Sequence, residues 1–150
     1  MKILWHRVIW VWVILLLAIF NLICFTAAHA EAAELVNLDV IRQIESGGNP
    51  RAYNARSGAI GLYQITDICR RDYNQVTGGS VTRADLWDPV INHRISCWYI
   101  NRRIPKLLQA RGHAVTLDNV LVAYNAGISR VGKKLPIETV GYIKKYRKLS

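Results

Sequence analysis

Apolar and polar positions divide the chain into an uncharged leader and a series of short helical stretches. Residues 8–28 contain no charged side chain. Further on, Leu35, Leu38, Ile41 and Ile44 recur every three residues, and Gly47-Gly48 stops the helix they predict. Residues 49–58 hold Pro50, Asn49, Asn54, Ser57 and Gly58, which predicts an ordered loop. Leu62, Ile65, Ile68, Cys69 and Tyr73 share one side of a second helix expected over about 59–76 and ended by Gly78-Gly79. Asp88-Pro89 supplies an N-cap followed by proline at the first helical position. The helix it opens carries Ile91, Ile95, Trp98 and Tyr99 until Pro105 breaks or kinks it. Residues 117–126 predict a short helix closed by Gly127, and Pro136 opens a last one through Tyr142 and Tyr146. No stretch alternates with period two for long enough to demand a sheet. The expected fold class is mainly α.

Composition fixes the scale. With 150 residues, 51% of them apolar, there is room for one domain with its own core, and a disordered tail is excluded. The leader sets the compartment. Lys2 and Arg7 precede the apolar run, and Ala28-His29-Ala30 follows it, which are the marks of a secretory signal peptide spanning residues 1–30. An uncleaved anchor is the rival reading, since the run matches the ~20 residues that cross a bilayer. Either way residues 31–150 are expected outside the cytoplasm, in the periplasm or cell envelope. Without residues 1–30 the chain keeps 18 basic and 10 acidic residues, a net +8. Such a charge favours anionic partners. The basic residues are dispersed up to Lys144-Lys145-Tyr146-Arg147-Lys148 and form no stripe with aromatics, so nucleic acid is not expected as a partner.

Cys24 lies in the leader, which leaves Cys69 and Cys97. In an oxidising compartment an even pair suggests one disulfide, with two buried free thiols as the alternative. His93 and His113 read as isolated, so no metal or cofactor is expected.

One residue stands out chemically. Glu45 sits in the last turn of the first helix, on its Leu38–Ile41 side, just before the double glycine. The negative end of the helix dipole favours the neutral acid there, and an apolar setting would push the same way. A carboxyl protonated near neutral pH is what general acid catalysis needs. Position alone does not separate this from a solvated surface acid.

The surrounding residues do. Glu45-Ser46-Gly47-Gly48-Asn49-Pro50-x-Ala52-x-Asn54, followed by Ser57-Gly58-Ala59-x-Gly61-Leu62-Tyr63-Gln64-Ile65, resembles the signature of the soluble lytic transglycosylase (SLT) family. These are goose-lysozyme-like enzymes that cut peptidoglycan glycan strands. Leu86-Trp87-Asp88-Pro89-x-x-Asn92, Ala123-Tyr124-Asn125-Ala126-Gly127 and Glu138-Thr139-x-x-Tyr142-Ile143 follow in the family's order. The resemblance covers about 38–146 and implies a lysozyme-like helical domain with a substrate cleft over residues 31–150.

By resemblance, Glu45 is the single catalytic acid and base, closing the muramic acid C6 hydroxyl onto C1 to give a 1,6-anhydro product. The tethered nucleophile removes the need for a second carboxylate, and none is expected at the cleft floor. Asp67 and Asp72 are the candidates for holding a water if the reaction is hydrolytic. Ser46, Tyr63, Gln64, Tyr124, Asn125 and Tyr142 are implied substrate contacts. Gly58, Ala59 and Gly61 are expected to serve a close backbone approach at the start of the second helix, and Asn92 to tie a helix start to a loop. Trp87 and Trp98 are expected in the core rather than as sugar platforms. Departures from the family pattern are Tyr63 for Met, Asp67 for Pro, Cys69 for Thr, and His93 and Ser96 for an apolar residue and Gly.

The implied function is a lytic transglycosylase acting on peptidoglycan as a monomer. A muramidase of the same fold and a non-catalytic peptidoglycan-binding scaffold are the alternatives. Small single-domain relatives of this kind serve secretion, conjugation or pilus machines, which makes such an apparatus the expected partner.

Overall fold

The computed structural model describes residues 35–150. The leader and its cleavage step at Ala30 lie outside the described residues. Asn37 caps the first helix, α1 (Leu38–Ser46), by accepting hydrogen bonds from the backbone N–H groups of Asp39 and Val40. Gly47 ends it in the left-handed conformation, as the double glycine suggested. Val40 and Ile41 are its buried residues.

The next segment departs from expectation. Residues 59–65 are not helical. Tyr53–Asn54 (β1) and Ala59–Ile60 (β2) pair as a two-stranded antiparallel hairpin, with Tyr53 opposite Ile60 and Asn54 opposite Ala59. Ile60 and Ile65 then exchange both backbone hydrogen bonds, closing a tight turn over residues 61–64. The second helix, α2 (Asp67–Thr77), starts only after Thr66 caps it. A tertiary contact overrides the local apolar spacing. Fully buried Asn92 accepts from Tyr63 N and donates to the carbonyls of Ile60 and Leu86, fastening the turn in a non-helical path. Gly61, at φ +80°, lets that amide approach. A Cβ there would stand 2.4 Å from Asn92 Nδ2.

A 3₁₀ turn (Ala84–Trp87) leads into α3 (Pro89–Trp98), capped by the Asp88 carboxylate. Pro105 lacks the N–H that a regular helix would give to the carbonyl four residues back. The chain meets this with a π-helical segment over Tyr99–Arg103 and runs on as α4 (Ile104–Ala110), widened rather than broken. Thr116 caps α5 (Leu117–Ala126), a short 3₁₀ turn (Ile128–Arg130) follows, and α6 (Ile137–Leu149) closes the domain.

The domain is mainly helical, with Ile41, Ile60, Leu86, Ile95, Ile100, Ile104, Leu108 and Leu121 fully buried. Each such side chain contributes about 1.5–3 kcal/mol on leaving water. Helix α6 packs on both α1 and α5, and Tyr146 accepts a 2.7 Å hydrogen bond from the backbone N–H of Asn37. That bond joins the start of α1 to the end of α6, and the antiparallel run of the two helices sets the end of α1 against the first half of α6, where Tyr142 meets Glu45.

The expected core place of Trp87 is not met. Trp87 is 43% exposed, set against the still more exposed Tyr53 on the hairpin. Trp98 is half-buried between Tyr73 and Tyr99. Cys69 and Cys97 are free thiols, so the suggested bridge is not formed. They lie on different helices with different neighbours, Cys69 against Tyr99 and Cys97 against His93.

Candidate active site

A cavity of about 420 Å³ lies between the last turn of α1, the hairpin, the start of α2 and the ends of α5 and α6. Glu45 enters it from the last turn of α1 because residues 38, 41 and 45 share one helix side. Its Oε1 accepts a 2.9 Å hydrogen bond from the phenol of Tyr142 on α6. Burial pushes the carboxyl up to about 7, against the opposing pull of the Tyr142 hydrogen bond and the Lys145 ammonium. The backbone carbonyls at the C-terminal end of α1 add their own bias toward the neutral acid. Glu45 therefore carries its proton near neutral pH and can also give it up there.

Gln64, Tyr124 and Asn125 line the same cavity, as the resemblance implied. Gln64 does so from an unusual backbone. It is the one non-glycine residue with positive φ (49°) among those described, and its side-chain amide donates to the carbonyls of Ala52 and Gly61. Those bonds hold the strained turn and fix the amide at the cavity wall. Tyr124 donates a 2.7 Å hydrogen bond to the Tyr63 carbonyl, and Ser96 Oγ is 3.4 Å from the same phenol. Burial raises the Tyr124 and Tyr142 phenols well above their usual range, so both remain neutral.

Three of the implied substrate contacts sit elsewhere. Ser46 does not line the cavity; its hydroxyl donates to the Leu62 carbonyl at 2.8 Å and so ties α1 to the turn. Tyr63 is 2% exposed, its phenol 2.7 Å from His93 Nδ1 on α3. Successive residues of the tight turn point opposite ways, so Gln64 takes the cavity side and Tyr63 the core side. Tyr142 is buried behind Glu45 and acts on the carboxyl rather than lining the cavity. Asp67 is bound by Arg70 and Arg71, and Asp72 by Arg103 through two hydrogen bonds. Neither aspartate lines the cavity.

The cavity also holds residues that the resemblance did not mark as substrate contacts. Ser57 and Asn54 line it from the hairpin, Ile68 from α2 with 73% of its surface exposed, and Tyr99 from the π segment. Glu138, in the first turn of α6, is a second and exposed carboxylate at the wall. The expectation of a cleft with one acid is thus not met. Glu138 stands within the quoted Glu138-Thr139-x-x-Tyr142 block, which was the available signal.

Residues 23–146 match the family model of the transglycosylase SLT domain. The chain belongs to that family. No curated protein and no solved structure matches it. The fold agrees with a lysozyme-like SLT domain, mainly helical with one small hairpin, and membership supports a transglycosylase-type enzyme acting on peptidoglycan.

Proposed function

We propose that this SLT domain is a lytic transglycosylase that cleaves the β-1,4 bond between N-acetylmuramic acid and N-acetylglucosamine in peptidoglycan. The observation that carries the reading is the state of Glu45: a carboxyl half-buried at the cavity wall, raised to about 7 by desolvation and held by the Tyr142 phenol. As an acid, Glu45 gives its proton to the glycosidic oxygen while the C1–O bond breaks toward that oxygen. As a base, the resulting carboxylate takes the proton of the muramic acid C6 hydroxyl, and O6 closes on C1. The product is 1,6-anhydro-muramic acid, no water is consumed, and Glu45 returns to its starting state. A tethered hydroxyl supplies by proximity what a hydrolase obtains from a positioned water. Gln64, Asn125 and Ser57 are suited to hydrogen-bond N-acetyl groups, while Ile68 offers an apolar surface to a sugar face.

Hydrolysis is the second reading, and Glu138 is the observation that favours it, since a pair of carboxylates can activate water. We place the enzyme in the periplasm or cell envelope, exported by residues 1–30, where its excess of basic residues suits an anionic wall. Local opening of the wall for a secretion, conjugation or pilus machine is the use we propose for it. The test is release of soluble fragments from purified sacculi by the wild-type chain and by Glu45→Gln. The variant should be slower by about 10²-fold or more, the usual worth of a general acid. Equal rates would overturn the assignment.

A further inference from the structure

Outside the cleft, three side chains meet on the flank of α3. His93 and Cys97 are four residues apart and therefore share a helix face, the spacing by which two ligands on one helix reach a common ion. Cys97 Sγ lies 3.3 Å from His93 Nε2. The other ring nitrogen, Nδ1, lies 2.7 Å from the phenol oxygen of buried Tyr63. A histidine pattern alone does not signal this pairing, because the partner is a cysteine.

We propose that His93 and Cys97 form a site for a tetrahedral divalent transition metal, with Zn²⁺ the best match. Thiolate and imidazole bound to one tetrahedral Zn²⁺ at ~2.3 and ~2.0 Å stand about 3.5 Å apart. The observed 3.3 Å is close to that bite, so the chelate is nearly formed before an ion enters. A linear two-coordinate ion would hold the same atoms more than ~4 Å apart and fits less well.

Tyr63 completes the design. A metal on Nε2 needs the proton on Nδ1, and the Tyr63 oxygen is placed to accept it. Burial fixes the Tyr63 ring, which packs on the imidazole with centroids 5.3 Å apart, so the orientation is set from the core. Binding replaces the thiol proton: the Sγ–H bond breaks, its electron pair goes to the metal, and the proton leaves to solvent. No redox step is involved. Among the described residues no group of three or more His, Cys, Asp or Glu side chains converges on one point. The two remaining coordination positions are left to water or to donors outside the described residues, and His93 is exposed, leaving them accessible. Neither ligand lines the cleft.

Titration of the untagged full-length chain with Co²⁺ under reducing conditions tests the site. The expected result is a thiolate-to-cobalt absorption band with tetrahedral ligand-field bands, saturating at one equivalent and abolished by added Zn²⁺. Cys97→Ser should remove the band, and His93→Ala should weaken binding at least tenfold. Tyr63→Phe should weaken it by roughly 10- to 100-fold, as loss of an outer-shell partner does. Cys69→Ser and Cys24→Ser should leave it unchanged, and circular dichroism shows whether each variant is folded. Absence of the band in the wild type, or its survival in folded Cys97→Ser, would overturn the proposal.

Discussion

Tyr142 donates a 2.9 Å hydrogen bond to Glu45 from a helix 97 residues further along the chain. The packing of α6 on α1 therefore decides where the acid points as well as how the domain holds together. Because that bond favours the ionised carboxylate, Tyr142→Phe should move Glu45 above its present value of about 7. The alkaline limb of the pH–rate profile should shift upward, with a stability loss of about 1 kcal/mol. An unshifted limb in a folded variant would mean that the phenol does not act on the carboxyl.

The wild-type pH profile follows from the same group. Glu45 must be protonated to act as an acid, so turnover should fall about tenfold per pH unit above about 7. Fragment release measured between mildly acidic and alkaline pH checks this. A limb near 4.5, the ordinary carboxyl value, would show that burial does not raise this acid.

Stability should report the cost of ionising Glu45. Its proton is held more tightly in the folded state than in the unfolded chain, where the value is 4.5. The stabilisation is therefore fully present below pH 4.5 and is lost as pH rises to about 7. At ~1.4 kcal/mol per pH unit the loss is roughly 3 kcal/mol. Glu45→Gln mimics the neutral acid, so denaturant unfolding should find it more stable than wild type at pH 8 and similar at pH 4. A variant that is no more stable at pH 8 would contradict the burial of this carboxyl.

Asn92 carries the turn that builds the cavity wall. Removing its amide leaves Tyr63 N and the carbonyls of Ile60 and Leu86 without their partner. Asn92→Ala should lose roughly 2–4 kcal/mol, since stranded buried polar groups cost about 1–3 kcal/mol each and some will recover water. Gly61→Ala should be at least as harmful, because the new Cβ would meet both Asn92 and the Leu86 carbonyl at positive φ. Thermal unfolding measures both.

Local signals were sufficient where the chemistry is local. Asp88-Pro89 marks a helix start by capping, and Gly47 and Gly127 mark helix ends at positive φ, and those ends are where the pattern put them. The hairpin and turn at 53–65 were illegible, because apolar residues at 62, 65, 68 and 69 also fit a helix and the deciding contact comes from Asn92, far along the chain. The site divides the same way. Glu45, Gln64, Tyr124 and Asn125 were placed by motif, whereas Tyr63 and Ser46 face away from the cavity for reasons of turn geometry. Glu138 stands in a quoted block, but only the packing of α6 beside the cavity brings it to the wall.

The most direct test of the lytic reaction is the mass of its products. Purified peptidoglycan digested by the full-length chain should release muropeptides ending in 1,6-anhydro-muramic acid, one water lighter than hydrolysis products. Reducing-end muropeptides would contradict the tethered-hydroxyl mechanism and assign water activation to the cavity that Glu45 and Glu138 share.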